Sequence, residues 1–382
     1  MLDLREHLDG PAVGQLRDAV RAALGEPLAV LGQWEAAPMH GGFGALAGAS
    51  SLYLLSGLAR VGRAELPWSV VLKLLTPATG AADPRHIRYQ RREFLLYRSG
   101  ILDTLPSGLR APRSYGCDES EDGTCWLWLE HIREDDERAW PLSRWALGAR
   151  HLGQFNGAYL TVPQLPVAPW LGGRRLRTWL ESHDVLVARI AAAPANPDVR
   201  RWWPRPVVES ILRFWEERDT FCDALERLPQ TFGHGDAIRR NLLARHRNDG
   251  IEETVAIDWE YAGYYTLGEE VGQTLSVASA FFDVDPADLP ALDEALFAGY
   301  LAGLADVGWR GNSRSVRFAY AVHAALRNVF NAVGTTIPDD ARRAATFQNQ
   351  GHTWEELAER RAAIRPFLLD RAEEARELIG AF

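Results

Sequence analysis

The 382-residue sequence predicts an α+β fold, with a small antiparallel-sheet lobe first and a larger helical lobe after it. Three observations predict this. Residues 28–75 hold three strand-like apolar runs separated by glycine-bearing connectors. From Trp140 onward, apolar residues recur at helical spacing instead. One hairpin signal interrupts the helical part, and residues able to do chemistry gather around it.

In order, Leu2 to Leu24 alternates apolar and charged residues at helical spacing up to Gly25 and is expected to form one amphipathic helix. Leu28 to Ala37, Ser51 to Leu58 and Trp68 to Leu75 are expected to form an antiparallel meander turning near Gly62. Pro84 then opens a helical pattern through Phe94 and Leu95 to Ile101, with Glu93 inside it and a break at Leu105-Pro106. Pro112 to Tyr115 and Thr124 to Ile132 complete the sheet lobe. Helices are expected at Trp145 to Tyr159, Leu176 to Ala192 and Val207 to Leu228. Asn241 to Arg245 and Thr254 to Asp258 read as a strand pair across Asn248-Asp249-Gly250. The remainder, 267–282, 289–307, 316–333 and 352–381, is expected to be helical.

Composition excludes several classes. The chain is 47% hydrophobic and 24% charged, which is ordinary for a globular chain with two cores rather than for disorder. The acidic start lacks the basic and apolar regions of a signal peptide. No later stretch is apolar enough to span a membrane, so a soluble cytoplasmic protein without a membrane partner is expected. Cys117, Cys125 and Cys222 form no CxxC pair, which suits reduced thiols and speaks against a zinc site. A net charge of −9 argues against nucleic acid and is compatible with a cationic ligand, although acidic balance also serves solubility alone.

Lys73 is the only lysine in the chain; every other basic residue apart from histidine is arginine. Arginine replaces lysine freely on a solvated surface. It does not do so where a compact ammonium must reach phosphate oxygens in a narrow space. Lys73 stands in the apolar run Trp68 to Leu75, which argues for such a reason rather than for chance survival.

The segment from Phe232 through His234-Gly235-Asp236 to Asn241, followed after the hairpin by Ile257-Asp258-Trp259, brings polar groups out of apolar surroundings. Phosphoryl transfer needs such a set. One carboxylate orients and deprotonates an attacking hydroxyl, and a carboxylate with an amide oxygen holds magnesium on a triphosphate. Asp236 is the expected base, with Asn241 and Asp258 as metal ligands. Taken singly, a His-Gly-Asp triplet, a strand-ending Asp and a helical Glu all have ordinary structural readings. Their joint order, with the sole lysine among them, favours the chemical one.

These residues resemble the aminoglycoside phosphotransferase and choline kinase family of the protein-kinase-like fold. That family's catalytic loop reads His-Gly-Asp, four residues, then Asn, with an Ile-Asp-Trp or Ile-Asp-Phe segment one hairpin later. The resemblance implies a two-lobed kinase-like fold: residues 1–129 as nucleotide-binding lobe, 130–133 as hinge, and 134–382 as the lobe carrying catalysis and substrate. ATP and Mg2+ are the implied cofactors. Lys73 resembles the third-strand lysine on the α- and β-phosphates, and Glu93 the helix glutamate paired with it. His234 resembles the histidine that braces the catalytic loop. The main chain of Glu130, His131 and Ile132 resembles the hinge that pairs with adenine. Gly41 and Gly42, in the stretch His40 to Gly48, stand where a loop covering ATP phosphates belongs; the spacing is not Gly-x-Gly-x-x-Gly, and a flexible strand connector is the other reading. Ile238 occupies the place, two residues after the base, where serine/threonine kinases carry lysine.

The function expected is ATP- and magnesium-dependent transfer of the γ-phosphate to a hydroxyl of a small, cationic metabolite or antibiotic. Alternatives are a Ser/Thr kinase of peptides in natural-product maturation, or a catalytically silent nucleotide-binding module. Glu260, Glu269, Glu270 and the run Glu134 to Glu137 are candidate partners for a substrate amine, with solvated turns or packing as their ordinary roles. Trp202, Trp203 and Trp215 are expected to pack between helices.

Overall fold

A computed structural model describes residues 4–10, 12–39, 50–77, 83–87, 89–106, 108–135, 139–161, 165–247, 249–281, 283–329, 335–336 and 351–382. The run from His40 to Gly48, with Gly41 and Gly42, lies outside these residues. So do Asn248 of the hairpin turn and Asp136 and Glu137 of the acidic run.

Along the chain come α1 (Leu4–Asp9), α2 (Val13–Leu24), β1 (Val30–Pro38), β2 (Ser50–Val61), β3 (Ala64–Leu75) and α3 (Arg92–Ser99). Then follow β4 (Leu109–Arg110), β5 (Ser114–Glu119), β6 (Cys125–Glu130), α4 (Leu142–Thr161), α5 (Arg175–Leu180) and α6 (Asp184–Ala192). Next are α7 (Arg205–Glu216), α8 (Arg218–Arg227), β7 (Gln230–Gly233), β8 (Leu242–His246), β9 (Glu252–Ala256) and β10 (Gly263–Thr266). The chain closes with α9 (Glu269–Ala280), α10 (Leu289–Asp306), α11 (Ser313–Val329) and α12 (Trp354–Leu378).

These elements form two units. One comprises Met1–Leu105, Arg110–Asp135 and Leu243–Tyr261; the other comprises Pro106–Leu109, Asp136–Leu242 and Ala262–Phe382. The β8–β9 hairpin, expected with the helical part, thus groups with the sheet unit and carries Asp258 there.

The first unit is built on an antiparallel sheet in the order β1-β2-β3-β6-β5. β2 and β3 form a hairpin through Gly62, whose φ of 61° is left-handed and costs glycine little. Leu8, Leu16 and Val20 of the first two helices pack with Leu55, Trp68, Val70, Leu72 and Trp128 in one core. Side chains alternate along a strand, so Lys73 emerges on the face opposite Val70 and Leu72. The expected single N-terminal helix is two, the first ending at Asp9 before Gly10 and the second beginning at Val13. The helix expected from Pro84 is confined to Arg92–Ser99; the preceding turns are held by Arg92, which donates to the carbonyls of Pro84, His86 and Ile87.

In the second unit, β7 and β10 pair antiparallel with Gly233 opposite Gly263. The α4 and α10 helices approach so closely that a β-carbon at Gly153, Gly299 or Gly303 would collide with a carbonyl oxygen of the facing helix. α9 is buried along its whole length, and α12 begins with a capping box between Thr353 and Glu356. Trp202, Trp203 and Trp215 are buried, as packing residues should be. No helix among the described residues is long and apolar enough to cross a membrane.

Candidate active site

In the first unit the sole lysine meets two acids from distant parts of the chain. Lys73 Nζ lies 2.5 Å from Glu93 Oε2 and 2.6 Å from Asp258 Oδ1. Lys73 is 7% exposed and Glu93 1%. Burial alone would drive the ammonium to give up its proton, but the Asp258 and Glu93 carboxylates outweigh it and hold Lys73 charged, its pKa above the ordinary lysine value. Burial pushes the Glu93 carboxyl upward, and Lys73 opposes that shift. Removing the lysine would therefore leave a carboxylate sealed without its counter-charge.

Backbone contacts fix where the acids sit. Glu93 Oε1 accepts from the Trp259 N–H at 3.2 Å, tying the residue after Asp258 to α3. Arg92, fully buried, donates to the Glu260 carbonyl at 2.6 Å besides the three carbonyls named above. Asp258 itself has a φ of 65°, left-handed for a residue with a β-carbon, a conformation costing about 1–2 kcal/mol. Buried Trp259 and the Arg92 and Glu93 contacts hold the backbone there.

At the end of β6, Glu130 accepts from Arg110 at 2.7 Å and from the Arg113 N–H at 3.1 Å. His131 Nδ1 lies 3.0 Å from Ser69 Oγ, and its imidazole is held below the ordinary pKa by burial and then by Arg133. With these side chains engaged, the chain from His131 through Ile132 leaves the sheet without regular structure. Glu134 and Asp135 accept from the N–H groups of Ala244 and His246, which is how part of the acidic run is used.

In the second unit, the loop after β7 is braced from three directions. His234 is fully buried, and its Nδ1 accepts from the Asp236 N–H at 3.1 Å. Gly235 has a φ of 80°, open to glycine, and its N–H donates to Glu270 Oε1 at 2.6 Å. Thr274 Oγ1 donates to the Ala237 carbonyl at 2.6 Å. Asn156 in turn donates to Glu270 Oε2 at 2.6 Å and to the Phe232 carbonyl at 3.1 Å. Burial raises the Glu270 carboxyl to about 7, against the pull of the Gly235 and Asn156 donors.

Asp236 and Asn241 are brought together by this loop. Asn241 Nδ2 donates to Asp236 Oδ2 at 2.9 Å and to its carbonyl at 3.0 Å, which leaves the amide oxygen as the metal-competent atom. Asp236 Oδ1 accepts from Gln273 Nε2 at 2.6 Å, with the Arg327 guanidinium 3.5 Å away. Asn241 through its amide oxygen and Asp258 through its carboxylate are hard-oxygen donors of the kind magnesium takes. Among the described residues, no group of three or more His, Cys, Asp or Glu side chains is arranged to hold a metal.

Sequence reasoning missed Asn156, Gln273, Arg327 and Arg92, and the bracing role of Glu270. Glu269 and Glu270, considered as partners for a substrate amine, are buried and accept from the Thr266 and Gly235 N–H groups. A signal was present. Glu270, Gln273 and Thr274 fall at i, i+3 and i+4 and so share one face of α9.

The chain has the kinase-like fold: an antiparallel-sheet unit and a helical unit, with the loop and hairpin segments described above. Over 94% of its length and 96% of the other chain, it is similar to an amicoumacin kinase solved with AMP-PNP, Ca2+ and Ami, at 11% identity and a TM-score of 0.50, a likeness of fold alone. It also matches a choline kinase from Cryptosporidium parvum Iowa II at 13% identity and a TM-score of 0.47, covering 91% of this chain and 90% of that one. A thermostable mutant of aminoglycoside phosphotransferase APH(4)-Ia, solved with ADP and hygromycin B, matches at 13% identity and 0.42, covering 87% and 93%. No curated protein matches the sequence at a significant level. A family model described as the phosphotransferase enzyme family matches residues 69–312, more than half of the chain. The chain belongs to that family and is a phosphotransferase.

Proposed function

We propose that the protein transfers the γ-phosphate of ATP, in a magnesium-dependent reaction, to a hydroxyl of a small molecule. One observation carries this reading: the only lysine of the chain is buried and paired at 2.5 and 2.6 Å with both Glu93 and Asp258. An ammonium held between two carboxylates is fixed in place and kept charged, ready for the α- and β-phosphate oxygens.

Each residue then has a job. Glu93 orients Lys73. Asp236 accepts the acceptor's hydroxyl proton while its Oδ2 remains bonded to Asn241, and His234 and Glu270 keep its loop in place. Asn241 and Asp258 would hold magnesium, which when bound neutralises the charge of the triphosphate. One carboxylate and one amide suit an ion that keeps water and phosphate oxygens as its remaining ligands. The main chain of Glu130, His131 and Ile132 is assigned to adenine. The acceptor oxygen bonds to Pγ, the bond from Pγ to the β,γ-bridging oxygen breaks, and ADP leaves with the electron pair.

A positive charge on the acceptor is the expectation from the family resemblance and the acidic composition. Glu269 and Glu270 are engaged by backbone N–H groups, and a charged side chain beside the assigned base is a cation, Arg327. Acceptor charge is therefore not carried into this proposal. The test is ADP release with magnesium and a panel of aminoglycosides, choline, homoserine and nucleosides, with mass spectrometry for a phosphate ester. Stoichiometric ester and ADP, lost in Asp236→Asn, is the expected result; magnesium-independent ATP binding with no ester from any alcohol or peptide would overturn the reading.

A further inference from the structure

Arg327 presents an accounting problem within the second unit. A guanidinium has five N–H donors. Among the described residues, its one hydrogen-bonded partner is Asp236 Oδ1 at 3.5 Å, an oxygen that already accepts from Gln273 at 2.6 Å. The Arg327 side chain is only 19% exposed, and its Nε is shut away from solvent with no acceptor. Most of the hydration of this cation is thus lost for one long contact.

The surroundings fix the cation without satisfying it. Its guanidinium lies over the Trp179 ring at 5.1 Å, and the Trp179 and His183 rings lie with centroids 3.8 Å apart, tilted at 36°. Both rings come from α5 and the turn after it, and the Trp179 face flanks the guanidinium. Gln273, 1% exposed, has its Nε2 committed to Asp236 and its Oε1 buried without a partner.

We infer that the acceptor carries an anionic group, a carboxylate or phosphate, next to the hydroxyl that is phosphorylated, and that Arg327 binds this group. The inference rests on the assignment of Asp236 as the residue receiving the acceptor's proton. A planar fork of donors held by an aromatic face matches a carboxylate or phosphate edge bidentately. An ammonium-bearing acceptor would meet Arg327 as a like charge. The hydroxyl proton goes to Asp236, and ADP takes the electron pair of the broken bond.

The test uses three acceptors of one size differing in charge: D-glycerate, glycerol and 3-amino-1,2-propanediol. With Mg-ATP, kcat/KM should favour D-glycerate over glycerol by at least about 10-fold. Arg327→Met should lower that ratio by roughly 10- to 100-fold through KM, with Arg327→Lys intermediate because it keeps charge without the fork. A second measurement needs no turnover. With Mg-AMP-PNP present, inorganic phosphate should raise the melting temperature of the natural protein and do so much less in Arg327→Met. Equal shifts in both, preference for the amino alcohol, or a uniform kcat loss across all three acceptors, which would place Arg327 on the transferred phosphoryl group, would overturn the inference. A missing Mg-AMP-PNP shift would instead remove the phosphotransfer reading beneath it.

Discussion

Glu270 makes the brace under the loop after β7 pH-sensitive, and Glu270→Gln exposes this. The carboxyl is 1% exposed; burial raises its pKa from 4.5 to about 7, while the Gly235 and Asn156 donors pull the other way. Because the folded pKa lies above the unfolded one, the native state binds more protons between these values. Its contribution to stability is fully present below about pH 4.5 and is lost as pH rises through about 7. A difference of roughly 2.5 units corresponds to about 3 kcal/mol across that window. Glutamine cannot ionise, so this slope vanishes in the variant. Its NH2 group must replace one acceptor of the Gly235 and Asn156 bonds, an offset of about 1–3 kcal/mol that does not vary with pH. Urea unfolding at pH 5, 6, 7 and 8 should show the natural protein losing stability relative to Glu270→Gln by about 3 kcal/mol. Parallel stability curves for the two proteins would refute the argument.

Three further outcomes follow from the same contacts. Lys73→Arg should lower kcat/KM for ATP by about 100-fold or more, since a planar fork cannot occupy the space of an ammonium pinned by two acids; steady-state kinetics near the natural value would contradict this. Lys73→Met should also destabilise by about 3–5 kcal/mol, seen in chemical denaturation, because Glu93 is left buried without its counter-charge. Arg92→Met should cost several kcal/mol and raise the magnesium concentration needed for turnover, since four carbonyls, including that of Glu260, lose their donor; a magnesium titration unchanged from the natural protein would show that Arg92 does not position Asp258.

Much of the fold was legible because local patterns dominate it. The meander through Gly62 and the hairpin before Asp258 follow from strand periodicity and turn residues, and α12 from helical spacing. Breaks within helical patterns were not legible. Leu176 to Ala192 divides into α5 and α6, and Val207 to Leu228 into α7 and α8, although apolar spacing continues across both. The β7–β10 pair was missed because four-residue strands carry too little alternation to read.

The candidate site divides similarly. Lys73, Asp236, Asn241 and Asp258 carry sequence signals: a solitary residue type, a spaced loop, an acid ending an apolar strand. Arg327 and Gln273 carry their meaning in three dimensions, since each meets Asp236 from 91 and 37 positions away in the chain. Glu270 looks like a surface acid in sequence and is a buried acceptor for Gly235.

The most direct test is a double-mutant cycle on Mg-ATP affinity with Asn241→Ala and Asp258→Ala. If both residues hold one metal ion, the first loss removes most of what the second could, and the two effects should fall short of additivity by about 1 kcal/mol or more. Losses that add to within about 0.5 kcal/mol would show that Asn241 and Asp258 do not share an ion.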